Sequence, residues 1–212
     1  MDQNQIFRPF GPSIAKFIMP TNIIEKINDY VDQIIENEKK SKNLDHGHKL
    51  AGNVKQEFKL EPSFLKDSGF LNFLGISTAK WIELSEKKKI KSFNVSSSWV
   101  VRQFENEYNP LHFHGGHISG VGYLKLPESF GETFQKNKTS NYNGKIAFVH
   151  GNQIFNSNSM FNVTPKVGEF YFFPHYLLHT VYPFYDSKEE RRSVSFNATI
   201  DENIYNTYNT YG

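Results

Sequence analysis

Residues 109–124 read NPLHFHGGHISGVGYL and hold three of the eight histidines of the chain. His112 and His114 stand at i and i+2. On a β-strand such positions share one face, about 6–7 Å apart along the strand. Two imidazoles so placed converge on one metal ion if a third ligand arrives from elsewhere. Residues 168–183, GEFYFFPHYLLHTVYP, offer His179 after a strand-like run. Imidazole suits iron, zinc, copper or nickel. The expectation is a mononuclear metal site assembled from segments distant in sequence.

Outward from this stretch, the texture is β. Residues 90–104 (IKSFNVSSSWVVRQF) mix β-branched and aromatic residues with polar alternation. Short strand patterns recur in 144–151 (GKIAFVHG), 160–174 (MFNVTPKVGEFYFFP), 177–184 (LLHTVYPF) and 191–200 (RRSVSFNATI). About eight short strands separated by turn signals predict a jelly roll. Polar loops fall at 127–142 and 152–159. Upstream, Ile23, Ile24, Ile27, Tyr30, Val31, Ile34 and Ile35 recur at helical spacing within residues 22–40, with Asn22 and Glu25 as a capping pair. Residues 63–88 form a second helical region that Gly69 and Gly75 divide and that the basic run Lys87–Lys91 closes. Residues 53–60 alternate weakly as a strand. Residues 41–52, with His46 and His48, read as a solvated loop. Residues 1–19, with Phe7, Phe10 and proline punctuation, read as an extended lead-in that adds a strand. The expected organisation is a helical buttress (1–89) and a mainly β core (90–212) within one domain.

Composition excludes several classes. The chain of 212 residues has no cysteine, which removes disulfides, thiolate zinc sites, cysteine-held iron–sulfur clusters and cysteine nucleophiles. Net charge is +2, and nothing in this near-balance argues for a nucleic-acid or membrane surface. Aromatic residues make up 16%, with 20 Phe, which favours strands over a helical bundle. No apolar run reaches the ~18 residues of a membrane span, and residues 1–12 show no signal-peptide pattern. The expectation is a soluble cytoplasmic protein with the option of a homo-oligomer.

Three segments carry a resemblance to a known family. They are NPLHFHGGHISGVGYLKLP, GEFYFFPHYLLHTVYP and ERRSVSFN, which with GKIAFVHG span about residues 94–199. In this ordered combination the chain resembles the phage and bacterial 2-oxoglutarate/Fe(II)-dependent oxygenases, a branch of the superfamily that includes prolyl hydroxylases. The resemblance implies a double-stranded β-helix core, with Fe(II), 2-oxoglutarate as cosubstrate and O2. His112 and His179 match the metal-binding histidines, and Arg191 with Ser193 the pair that binds the far carboxylate of 2-oxoglutarate. Positions i and i+2 of a strand share a face, so the guanidinium fork and the hydroxyl can grip one carboxylate. Arg192 then points outward as a solvated charge, unless the register makes it the binder.

The common ligand pattern of this chemistry is His-x-Asp/Glu…His. Here the second position is His114. It is the third ligand, or His117 replaces it where Gly115 and Gly116 bend the chain, or metal binding has been lost. Tyr123 is either a hydrogen-bond donor to the cosubstrate or an aromatic core residue. Ser195 and Asn197 share the face of Arg191, and Asn109 and Ser119 are further candidates. His150 and His175 read as structural. The implied activity is hydroxylation of a protein side chain or a small molecule. The competing readings are a cupin-like metalloenzyme that needs no 2-oxoglutarate and a non-catalytic jelly-roll binding or structural protein.

Overall fold

The computed structural model describes residues 5–7 and 11–206. The strands are β1 (Gln5–Phe7), β2 (Ile14–Ile18), β3 (Gln56–Lys59), β4 (Phe93–Gln103), β5 (Asn109–His112), β6 (Ile118–Lys125), β7 (Ile146–Val149), β8 (Met160–Val163), β9 (Glu169–Pro174), β10 (Leu178–Val181) and β11 (Arg191–Ile200). They form two sheets, β1-β2-β9-β6-β11-β4-β3 and β5-β10-β7-β8. All pairings between these strands are antiparallel. This is a mainly β, jelly-roll architecture with N-terminal helices. The helices are α1 (Thr21–Ile35), α2 (Glu38–Leu44), α3 (Pro62–Asp67), α4 (Phe70–Glu86) and α5 (Glu202–Tyr205). Among the described residues no helix is long and apolar enough to cross a membrane.

Alternation along the central strands sorts the interior into two layers. Val121, Tyr123, Phe148 and Phe173 fill the space between the sheets. Leu124, Phe170, Phe172, Val194 and Phe196 point the other way, toward α1 and α4, where Ile27, Val31, Phe70 and Leu74 meet them. Close packing there depends on Gly122, because a Cβ would lie 2.2 Å from the Phe170 ring. Truncating a ring as enclosed as Phe170, 0% exposed, costs about 3–5 kcal/mol.

The N-terminal third is woven into the large sheet. β2 pairs with β9, and β3 pairs with β4. The strand expected of the lead-in is present as β1 and β2; Pro9 and Phe10 lie outside the described residues. The first helix differs from expectation at both ends. Pro20 occupies the N-cap position with no side-chain capping bond, and Asn22 is inside the helix. α1 stops at Ile35, where the isoleucine stripe ends, and Asn37 starts α2 by accepting from Lys40 N–H at 3.0 Å. Gly69, at φ 83°, separates α3 from α4, whereas Gly75 lies within α4. The loop expected at 41–52 holds the end of α2 and a 3-10 turn (Gly47–Lys49).

Arg192 is the clearest correction. It is 2% exposed rather than solvated. The outer face of β11 lies under α1, so Arg192 meets Asp32 and Glu190 at 2.6 Å each and Asn28 at 3.1 Å. Removing Glu190, the buried partner, costs about 3–5 kcal/mol, and removing the half-exposed Asp32 costs less.

On β3, Glu57 faces the interior, 1% exposed, with neither carboxyl oxygen hydrogen-bonded. Burial, then repulsion from Asp45 and Glu107, pushes its pKa from the ordinary 4.5 up to about 7. A raised acid pKa means that ionisation costs folding free energy. That cost is absent below pH 4.5, grows between pH 4.5 and 7, and is complete above it. By the energy of a pKa unit it amounts to about 3 kcal/mol. Glu57→Gln is therefore expected to raise the stability of metal-free protein at pH 8 by about 1–3 kcal/mol, and to change it little at pH 5. Urea unfolding at the two pH values checks this; an equal difference at both would contradict it.

Candidate metal centre

The first two histidines meet because of strand register. β10 runs antiparallel to β5 with His179 directly opposite His112. The third arrives differently from expectation, since β5 ends at His112 and His114 lies in the turn beyond it. Backbone bonds rather than strand alternation fix that turn. His114 N–H donates to His175 O at 3.0 Å, and His175 N–H donates to His117 O at 3.2 Å. Gly116, at φ 93°, turns the chain into β6, where a Cβ would lie 2.9 Å from Ala198 O.

The imidazoles of His112, His114 and His179 bring one ring nitrogen each to within 4.8 Å of one another. His112 Nδ1–H donates to Pro110 O at 2.6 Å, and His179 Nδ1–H to Leu177 O at 2.8 Å. Those bonds fix the tautomers and leave Nε2 as a lone-pair donor on each ring. His114 Nε2 lies 3.1 Å from His179 Nε2. Burial lowers the pKa of all three: His112 is lowered, His114 is brought down to about 3, and His179 well below the usual value. Neutral imidazoles with converging lone pairs fit a divalent metal. The group contains no carboxylate.

His117 is not part of this cluster. Its Nδ1 accepts from Ile200 N–H at 3.1 Å, and its ring stacks on Tyr205 at 3.9 Å. His175, read from sequence as structural, is tied to the site: its Nδ1–H donates to His114 O at 2.8 Å. Its Nε2 accepts from Tyr205 O–H at 2.5 Å, so α5 braces the turn that carries His114.

Arg191, Ser193 and Ser195 face the same pocket as the three histidines. Tyr123 stands opposite Ser193 on the neighbouring strand. The Arg191 guanidinium is 1% exposed and lies 5.0 Å from the Tyr123 ring centroid. It donates to Ser193 Oγ at 3.3 Å, while its Nε and Nη2, and the Tyr123 hydroxyl, have no hydrogen-bond partner. Burial pulls the Arg191 pKa below its usual value. Among the described residues no carboxylate forms an ion pair with it. A buried cation without an acid fits a carboxylate ligand. Asn197 accepts from the Ser119 hydroxyl at 2.8 Å, so these two candidates bond each other.

Trp99 is a pocket residue that the sequence did not single out. Its ring lies 5.6 Å from that of His114 and 6.3 Å from that of His46. Sequence alternation placed Trp99 on a strand face without indicating what lay opposite.

Residues 97–197 match the family described as "Putative 2OG-Fe(II) oxygenase". This segment is a 2-oxoglutarate/Fe(II)-dependent oxygenase core. The oxygenase uses Fe(II), 2-oxoglutarate and O2, and the converging histidines and unpaired Arg191 suit such a complement. No curated protein matches the sequence. Among solved structures, the viral collagen prolyl hydroxylase of Paramecium bursaria Chlorella virus-1 is similar at TM-score 0.54 and 15% identity, over 87% of this chain and 94% of that one. A Pseudomonas putida prolyl-4-hydroxylase is similar at 0.52 and 13%, over 87% and 91%. HygX from Streptomyces hygroscopicus, solved with nickel and 2-oxoglutarate, is similar at 0.54 and 10%, over 87% and 81%. At these identities the likeness is one of fold. The cupin-like and non-catalytic readings are not favoured.

The brace on His114 has a measurable consequence. His175→Ala frees the His114 carbonyl and is expected to weaken Fe(II) affinity about tenfold, with a smaller loss in Tyr205→Phe. Competition with a chelator under anaerobic conditions reads both; unchanged affinity in His175→Ala would mean the turn holds itself.

Proposed function

We propose that His112, His114 and His179 hold Fe(II), that Arg191, Ser193 and Tyr123 bind the far carboxylate of 2-oxoglutarate, and that the enzyme hydroxylates a protein side chain or a small molecule. The observation that carries this reading is Arg191, a fully buried guanidinium beside the histidine cluster with two nitrogens unpaired and no acid to neutralise it. The fork of Arg191, the Ser193 hydroxyl and the Tyr123 hydroxyl together present donors suited to one carboxylate.

When bound, the iron and cosubstrate supply oxidative chemistry in which a substrate C–H, 2-oxoglutarate and O2 become C–OH, succinate and CO2. The remaining roles belong to the chain. Pro110 and Leu177 carbonyls orient two imidazoles so that Nε2 faces the metal position. Phe148 and Phe173 pack against His179, with ring centroids at 5.9 and 4.9 Å, and keep that side dry. Three neutral imidazoles bring no charge to the metal. The 2-oxoglutarate dianion then supplies the balance, which couples cosubstrate binding to metal binding more tightly than a His-x-Asp site would. The loops at 127–142 and 152–159 carry exposed aromatic residues, Phe134 at 82% and Phe155 at 92%, and are suited to meeting the primary substrate. The N-terminal elements act within the same domain, as the sharing of the large sheet by β2 and β3 supports.

Anaerobic titration of Fe(II)-loaded protein with 2-oxoglutarate is expected to produce the metal-to-ligand charge-transfer band. Arg191→Ala should weaken 2-oxoglutarate binding about a hundredfold, whereas Arg192→Ala should lower stability and leave the affinity of the folded protein nearly unchanged. His114→Ala should lose iron, and His117→Ala should not lose a ligand. No band in the wild type would sink the reading.

A further inference from the structure

Two strands from Ser193, across β4, lies the unpaired acid of β3. Glu57 pairs in register with Val101, and Val101 with Ser193, so the three form one row across the sheet. Strand spacing puts Glu57 roughly 10 Å from Ser193. Val101 lines the same pocket as the three histidines, as does Asn109. The segment over this edge begins at Asp45 and is held to β3 by His46 N–H donating to Glu57 O at 2.8 Å.

The oxygens here gather against two glycines of the covering segment. A Cβ on Gly52 would lie 2.9 Å from both Asn109 Oδ1 and Glu57 Oε1. One on Gly47 would lie 3.5 Å from both Asp45 Oδ1 and Glu57 Oε2. Glu57 is 1% exposed with both oxygens unpartnered, and among the described residues no lysine or arginine forms an ion pair with it or with Asp45. The unpartnered Glu57 oxygens, beside the pocket-lining Val101 and Asn109, call for a ligand that brings N–H groups and positive charge. A bare metal ion suits it less well, since the histidine triad is the one group of three or more His, Asp or Glu ligands gathered closely enough among the described residues.

We infer that Glu57, with Asp45 and Asn109, forms a recognition site for an ammonium or guanidinium group of the primary substrate. This deepens the oxygenase reading and rests on it. The cationic end anchors at Glu57, and the carbon to be oxidised extends along the pocket wall past Val101 toward the histidines. Without a ligand, the acid is neutralised in part by its raised pKa of about 7; a bound cation would restore the carboxylate.

The test measures succinate formation by Fe(II)-loaded protein with 2-oxoglutarate in air, with free L-arginine, L-lysine, L-leucine or L-glutamate added, or with arginine and lysine inside a short blocked peptide. At least one cationic probe should stimulate turnover severalfold, with leucine and glutamate inert; response to the free amino acid or to the peptide tells which source carries the cation. Glu57→Gln should cut the stimulation about tenfold or more. Gly52→Ala, whose methyl enters the acceptor space, should do the same. The charge-transfer band of each variant reports that it is folded and loaded. Equal stimulation by leucine or glutamate, retention of the cation preference in Glu57→Gln, or no response to any cationic probe while the band is present would each overturn the inference. Absence of the band in the wild type would instead remove the oxygenase site on which it stands.

Discussion

Two adjacent arginines on β11 enter opposite sides of the sheet, and the difference in how their charges are met organises the molecule. Arg192 is buried beneath α1 and neutralised by Asp32 and Glu190. Arg191 is buried between the sheets with no acid at all. Burying a guanidinium alone is costly. The first arginine ties the N-terminal helix to the sheet. The second leaves a positive site whose natural complement is a carboxylate from outside. One strand thus supplies both the attachment of the buttress and the anchor proposed for the cosubstrate.

The same economy appears around the metal position. Antiparallel register alone brings His112 and His179 face to face. His114 is placed by a different device, a turn clamped by His175 and braced from α5 through Tyr205. The histidine that stands where a carboxylate is usual is also the one held by tertiary contacts rather than by strand geometry. Its nitrogen is nevertheless as buried and neutral as the others need it to be.

Glu57 presents the opposite electrostatic problem to Arg191. Neither meets an opposite charge, and Glu57 stands at one end of the row whose other end is Ser193, the residue to which Arg191 donates. On the proposed reading, a dianion taken near Arg191 and a cation taken at Glu57 give the site a built-in polarity. That polarity would discriminate between an acidic cosubstrate and a basic substrate, since each would be repelled from the other's end.

Much of this was legible in the chain. Local chemistry determined the β texture from residue 90, the isoleucine stripe of α1, the break at Gly69, and the pairing of Arg191 with Ser193 on one face, because periodicity is a property of neighbouring residues. The motif order from His112 to Ser193 determined the oxygenase reading. Partners across the sheets were decided only by tertiary structure. Sequence could not foresee that α1 covers Arg192, that His175 grips His114, that His117 turns away to stack on Tyr205, or that Glu57 lies in the row of Ser193. Each depends on contacts between residues from 44 to 160 positions apart, and burial and register at that range come from packing the whole chain.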